Sequence, residues 1–129
     1  MENIANLSDE VARDMLEAEA RVVIREQKSR APRNTGALAG SIKASKMKRD
    51  RNGARCMYVY PQGLHHTYIQ RGTGRTIKVR NAEVGFIHEY GAPQRGIRAQ
   101  GWVSASNAAA ENEAVEEAGK VYDNFIKKF

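Results

Sequence analysis

Apolar positions at both ends of the chain recur at helical spacing. In the N-terminal segment, successive apolar residues are three or four positions apart: Ile4, Leu7, Val11, Met15, Ala18 and Val22. This spacing places them on one face of a helix over about residues 4–30, and Pro32 then disfavours its continuation. A similar stripe, with an alanine-rich start, predicts a second helix over about residues 104–128 with Ser104 as its N-cap.

Between these helices the period of the pattern changes from 3.6 to 2. Four segments alternate in this way, at residues 38–45, 55–60, 76–80 and 84–89. Segments rich in Gly, Asn or Pro separate them, and a long loop spans residues 91–102. The pattern therefore predicts an α+β fold in a single domain, residues 1–129. A small antiparallel sheet of about four strands, within residues 36–91, is flanked by a long N-terminal and a long C-terminal helix.

The charge of the chain is distributed unevenly. The 129 residues carry a net charge of +6, but residues 31–102 hold thirteen basic and three acidic side chains, a balance of +10. Each flanking segment, residues 1–30 and residues 103–129, has a balance of −2. A basic excess of this kind indicates an anionic partner surface and carries no information about the fold.

Several classes of protein are disfavoured by the same counts. There is no run of ~18 apolar residues, so we expect no membrane span. The first thirty residues carry seven acidic side chains, and we expect neither a secretory signal nor a transit peptide there. Cys56 is the one cysteine, so no internal disulfide is possible and a reducing compartment is expected.

Candidate catalytic and metal-binding groups do not form a pattern. His65 and His66 are adjacent, so in a strand they point to opposite faces, and His88 is distant in sequence. Neither Ser41 nor Cys56 stands in a nucleophile motif. The Gly-rich basic loop at residues 71–75 lacks the spacing of a phosphate-binding loop. We expect no enzymatic activity, no metal and no cofactor.

Basic residues in the middle of the chain are the better candidates for a functional surface. Their contacts, with DNA phosphates or with an acidic protein surface, would be independent of sequence and sensitive to salt. The candidates are Lys43, Lys46, Lys48, Arg49, Arg51, Arg55, Arg71, Arg75, Lys78 and Arg80. The alternative for the densest part, residues 43–55, is a solvated hairpin without a partner.

Two blocks of motif residues accompany this pattern. The predicted first helix runs into Ala-Pro, followed by Asn-Thr-Gly-Ala-Leu and then Ser-Ile, within residues 31–42. Farther along come Phe-Ile-His-Glu-Tyr-Gly at residues 86–91 and Trp-Val before the last helix. Together they resemble the tail-completion or head–tail joining family of long-tailed bacteriophages, also described as minor tail components. The residues that carry the resemblance are Pro32, Thr35, Gly36, Leu38, Ser41, Ile42, Phe86, Glu89, Tyr90, Gly91 and Trp102.

The motif residues have expected structural roles, and the chain departs from the family pattern in places. We expect Leu38, Ile42 and Phe86 to enter the core and Trp102 to anchor the long loop. Ala92 stands where the family usually has Thr. Of the family's Arg-Pro-Phe segment, only an aromatic remains, and residues 62–81 look like an inserted basic hairpin.

The resemblance implies a structural virion protein. It would form a homo-oligomeric ring at the neck, of six subunits or alternatively twelve, between a head connector or head-closure protein and a tail tube or tail terminator protein. DNA would pass through its channel without sequence specificity. Its location would be the neck and tail of the virion, with assembly in the host cytoplasm. The alternative is a stand-alone basic module that binds nucleic acid.

Overall fold

Two long helices frame the molecule. The computed structural model describes residues 2–32 and 36–128. Helix α1 spans Glu2–Arg30 and helix α4 spans Trp102–Ile126. The elements between them, in order, are α2 (Ala37–Gly40), β1 (Ile42–Ala44), β2 (Lys48–Arg49), β3 (Arg55–Cys56), β4 (Val59–Pro61), β5 (Leu64–Ile69), β6 (Thr76–Arg80), α3 (Asn81–Tyr90) and a 3₁₀ turn (Pro93–Arg95). The predicted α+β class with long terminal helices is confirmed.

Helices α1 and α4 pack against each other in antiparallel orientation. The buried face of α4 includes a small residue at every fourth position: Ser106, Ala110, Ala114 and Ala118. Opposite them, α1 buries Ala18 and Val22. Because the distance between packed helices depends on the side chains at the contact, these small residues allow the two backbones to approach closely.

The start of α4 differs from the prediction. The helix begins at Trp102, after Gly101 in a left-handed conformation, so Ser104 lies inside the first turn and is not the N-cap. Gly101 has no side chain that could cap the helix. The first amide groups of α4 are instead bound by a side chain from another helix, as described below.

The strands form three separate two-stranded antiparallel pairs: β1 with β4, β2 with β3, and β5 with β6. The first two pairs are parts of one kinked hairpin, residues 42–61, because the Ser45 amide donates to the Tyr58 carbonyl at 2.7 Å between them. At its tip, Asp50 Oδ1 accepts hydrogen bonds from the amides of Asn52 and Ala54, at 2.8 and 2.9 Å. We call this element the first hairpin.

One predicted strand begins too early. Residues 38–41 were predicted as the start of the first strand but do not belong to it. Gly36 adopts a φ of +81°, and the chain then forms the short helix α2. The amide of Gly40 donates to the Gly36 carbonyl at 3.0 Å, which closes this turn. Strand β1 begins only at Ile42.

The prediction of a strand over residues 84–89 is wrong, because this segment belongs to helix α3. The buried residues of α3 are Asn81, Gly85 and Glu89, spaced four apart. A search for apolar periodicity misses this face, since none of the three is a large apolar residue. The partner of β6 is β5, and together they form the second hairpin, residues 64–80.

The main core lies where α1, the first hairpin and the start of α4 meet. Ala31, Leu38, Ala39, Ile42 and Trp102 form one buried cluster there. The Trp102 indole Nε1–H donates to the Gly85 carbonyl at 3.1 Å, so this side chain also joins α4 to α3. The arrangement brings the ends of α3, α4 and the long loop to one end of the molecule.

Candidate functional site

The first group of predicted contact residues lies on the first hairpin and the loops within it. The exposed members are Lys43, Lys46, Lys48, Arg49 and Arg51. Arg55 is half-buried, and its Nε donates to Asp9 Oδ1 on α1 at 2.6 Å. Arg49 Nη2 is 3.4 Å from the same oxygen. Two of the six cations therefore hold the hairpin against α1, and the lysines and Arg51 face solvent.

The second group lies on the second hairpin. Arg71 and Arg75 are exposed in its turn, and Lys78 and Arg80 are exposed on β6. The turn is closed because the Gln70 amide donates to the Arg75 carbonyl at 2.8 Å. The ten predicted cations therefore lie on two separate hairpins, one beside α1 and one beside α3.

The first motif block forms the turn and the short helix α2 that follow α1. Its described residues are Pro32, Gly36, Leu38, Ser41 and Ile42, whereas Thr35 and its neighbour Asn34 lie outside the described residues. Ser41 Oγ donates to the Leu38 carbonyl at 2.6 Å, which closes the turn of α2. Leu38 and Ile42 are buried in the main core.

Glu89 supplies the cap that the sequence of α4 lacks. Its carboxylate accepts a hydrogen bond from the Val103 amide at 2.6 Å, from the Ser104 amide at 3.3 Å and from Ser104 Oγ at 2.9 Å. Because the first amides of a helix have no partner within it and carry partial positive charge, a buried carboxylate is stabilised there. Sequence analysis named Glu89 as a motif residue but missed this role, since the contact joins residues that are distant in the chain.

The position of Phe86 differs from the prediction that it enters the core. It lies on the outer face of α3 with 63% of its surface exposed, and does not pack inward. Its ring contacts that of Tyr90, which is 66% exposed, with the centroids 4.6 Å apart. The helical geometry explains the difference, because residues four apart share one face and Phe86 and Tyr90 lie away from Gly85 and Glu89.

Gly91 and the long loop complete this end of the molecule. Gly91 has a φ of +80°, and a Cβ there would lie 2.7 Å from the Ala99 backbone nitrogen. The loop folds back onto α3, since the Gln100 amide donates to the His88 carbonyl at 2.8 Å. We call this arrangement of α3, the loop and the start of α4 the α3–α4 junction.

A groove between the first half of α1 and the last turns of α4 is a surface that sequence analysis did not identify. It encloses about 460 Å³. Three exposed carboxylates, Glu10, Asp14 and Glu17, lie along it at the four- and three-residue spacing of one helical face. The other lining residues are Val11, Arg21, Val121, Asn124, Phe125 and Lys128. We call it the α1/α4 groove; the spacing of its three acids is the signal that was available in the sequence.

An ion pair links the two long helices outside this groove, and two more lie within α1. Arg25 on α1 contacts Glu113 on α4 and also Glu26, while Arg30 contacts Glu26 one turn away. The guanidinium groups of Arg30 and Arg25 lower the pKa of the Glu26 carboxyl. Burial against α4 raises the pKa of Glu19 above its ordinary value.

The histidines and the cysteine form no metal site among the described residues, where no cluster of three His, Cys, Asp or Glu side chains occurs. The expectation that His65 and His66 point apart is wrong: a register shift in β5 brings their Nδ1 atoms to 2.7 Å. Cys56 is half-buried, and its thiol raises the pKa of the neighbouring Tyr58 phenol.

No helix in the described part of the chain combines the length and hydrophobicity needed to cross a membrane.

No significant match is found among curated proteins or among solved structures. One family model does match, HK97-gp10_like, with the description "Bacteriophage HK97-gp10, putative tail-component", over residues 1–60. That range includes α1, the first motif block and most of the first hairpin, whereas the second motif block lies beyond it. The resemblance to a family of phage tail proteins is thus confirmed over residues 1–60, where the chain matches the HK97-gp10-like family model.

Proposed function

We propose that this chain is a structural component of a phage tail that acts in tail completion or head–tail joining. The observation that carries the proposal is the family match over residues 1–60. The protein would act in the virion neck, after assembly in the host cytoplasm, and its role would be structural rather than catalytic.

The proposed partners are those that the resemblance to the tail-completion family implies. Copies of the chain would form a ring, with six subunits favoured and twelve as the alternative, because a head-to-tail contact between identical subunits can close on itself. One face of the ring would meet the head connector or head-closure protein, and the other the tail tube or tail terminator protein. The exposed cations of the first hairpin would contact one of these proteins or line the channel through which DNA passes.

The test is charge reversal on the first hairpin in a phage that depends on this gene. The variant Lys43→Glu/Lys46→Glu/Lys48→Glu/Arg51→Glu leaves Arg49 and Arg55 and their contacts with Asp9 in place. We expect filled heads and free tails to accumulate, with loss of infectious particles, when lysates are examined by electron microscopy and plaque assay. Normal yields from a folded variant would contradict the proposed role of this surface.

A matched control reverses the same number of charges elsewhere. Arg95, Arg98, Lys120 and Lys127 are exposed and lie outside both hairpins. Substitution of all four by glutamate should leave the yield of joined particles near normal. Circular dichroism and thermal unfolding would establish that both variants fold.

The rival function is a stand-alone module that binds nucleic acid, and the exposed lysines of the first hairpin favour it. In that case the purified protein would bind double-stranded DNA with an affinity that falls steeply with salt. It would also be missing from purified phage particles, where an antibody or mass spectrometry would detect a tail component.

A further inference from the structure

The second hairpin carries apolar side chains that the described part of the subunit leaves largely exposed. All six residues of β5 are exposed, including Leu64 at 53%, Tyr68 at 47% and Ile69 at 72%. Outside the hairpin itself, its main contacts are with α3. A two-stranded hairpin alone is at best marginally stable in water, so its exposed apolar surface indicates that a partner covers it in the assembled protein.

The charge of the second hairpin defines the partner further. Residues 62–80 contain four arginine or lysine side chains and no aspartate or glutamate. Arg80 pairs with Glu83 at the base of the hairpin. Arg71, Arg75 and Lys78 form no ion pair with any described residue. The hairpin therefore fits a surface that has both carboxylates and apolar groups.

The α1/α4 groove is such a surface on the same chain. The carboxylates of Glu10, Asp14 and Glu17 form no ion pair within the described part of the subunit. Val11, Val121 and Phe125 provide apolar lining between the two helices, and the three carboxylates outnumber the two cations of the lining, Arg21 and Lys128. A β-hairpin with arginines at its turn and an isoleucine beside them complements both features.

The groove and the base of the second hairpin lie toward opposite ends of helix α4. The hairpin contacts α3, and Trp102 joins α3 to the first residue of α4. The groove begins at Val121, nineteen residues farther along the same helix, which corresponds to about 28 Å at 1.5 Å per residue. Contact between two such surfaces is head-to-tail, and that is the kind of interface that closes a ring.

We propose that the second hairpin of one copy docks in the α1/α4 groove of the next copy. This inference rests on the proposed ring and names its subunit contact. DNA in the channel is the other anionic candidate, but phosphates do not cover Leu64, Tyr68 and Ile69, whereas the groove offers apolar side chains as well as carboxylates. The occupant of the groove is therefore a second copy of this chain.

Charge reversal on each surface tests the contact. The hairpin variant is Arg71→Glu/Arg75→Glu and the groove variant is Asp14→Lys/Glu17→Lys. Sedimentation velocity at about 50 mM salt should show closed oligomers for the wild type and mainly monomers for each variant, with association weakened about tenfold or more. A control that reverses two exposed α4 carboxylates outside the groove, Glu111→Lys/Glu116→Lys, should associate like the wild type.

Mixing the two variants provides the sharper test. In an equimolar mixture the native hairpin of the groove variant can dock in the native groove of the hairpin variant, and the reversed hairpin faces the reversed groove with opposite charges, so the mixture should form closed oligomers that neither variant forms alone. A chain with all four substitutions regains opposite charges and should self-associate again. If the variants fold but the mixture does not associate and the chain with all four substitutions stays monomeric, the proposed docking is overturned.

The outcomes for the docking and for the proposed function are separate. A wild type that stays monomeric at millimolar concentration and low salt, or a ring that forms regardless of both reversals, overturns the docking inference alone. Loss of DNA binding in the hairpin variant with unchanged association would assign the hairpin to DNA and also overturn it. The tail-component proposal fails instead if the protein is absent from purified particles.

Discussion

The α3–α4 junction and the second hairpin are neighbours in the fold, yet they differ in how their polar and apolar groups are satisfied. The junction buries Trp102 to 3% exposure and Glu89 to 8%, and each side chain has hydrogen-bond partners within the subunit. The second hairpin leaves every residue of β5 exposed and three of its cations without ion pairs among the described residues. The junction is stabilised by the subunit itself, whereas the hairpin leaves apolar side chains and three cations exposed to solvent.

The largest expected effect is the loss of the tryptophan at the junction. Trp102→Ala removes a buried ring and the hydrogen bond to the Gly85 carbonyl, and should lower the free energy of unfolding by about 3–5 kcal/mol. Ile69→Ala on the second hairpin removes a side chain that is 72% exposed, and should change the free energy of unfolding by about 0.5 kcal/mol or less. Urea denaturation followed by circular dichroism measures both. Similar losses for the two variants would contradict the comparison.

Glycine substitutions give the next largest contrast. Gly91→Ala combines a φ of +80° with a Cβ only 2.7 Å from the Ala99 backbone nitrogen, and should cost about 2–4 kcal/mol. Gly72, in the turn of the second hairpin, has a φ of +92°, but no described residue would lie within 4 Å of its Cβ. Gly72→Ala should therefore cost only the backbone strain, about 1 kcal/mol. Thermal unfolding of the two variants tests this difference, and equal melting temperatures would refute it.

Removal of the negative charge on Glu89 should have a smaller effect on the free energy of unfolding. Glu89→Gln keeps the shape of the side chain but removes the negative charge that caps α4, and should cost about 1–3 kcal/mol. Glu83→Gln breaks the exposed pair with Arg80 at the base of the second hairpin, and about 0.5 kcal/mol or less is expected. Hydrogen exchange at the first turn of α4 provides a second measurement, since only Glu89→Gln should accelerate exchange there.

The smallest effect on stability is expected for Glu19, which lies on α1 where this helix packs against α4. Burial raises the pKa of Glu19 in the folded protein, so folding disfavours its charged form. Glu19 therefore lowers stability as pH rises through its titration range, and this cost is absent below the pKa of the unfolded chain. Glu19→Gln should raise the melting temperature slightly at pH 7 and leave it unchanged at about pH 3. Glu116→Gln, an exposed position on α4, is the control; a gain that is equal at both pH values would contradict the assigned cause.

The parts of the fold that sequence analysis predicted well are those with a regular apolar period. Helix α1 ends at Arg30, where Pro32 follows. The segment at residues 84–89 was misread because its inward face consists of Asn81, Gly85 and Glu89, whose burial depends on partners elsewhere. Of the candidate surfaces, the cations of both hairpins were identified by charge alone. The α1/α4 groove was missed because it forms between residues more than one hundred positions apart.

The sequence by itself determined the two long helices, the basic middle of the chain and the resemblance of its first block to phage tail components, because these depend on local periodicity, charge count and short motifs. The tertiary structure decided that α3 is a helix, that Glu89 caps α4, and that the α1/α4 groove and the base of the second hairpin lie toward opposite ends of α4. The physical reason is that each of these features requires contacts between residues distant in the chain. The carboxylate of Glu89 is stable in its buried site because the first amides of α4 meet it, and the α1/α4 groove exists because those two helices pack together.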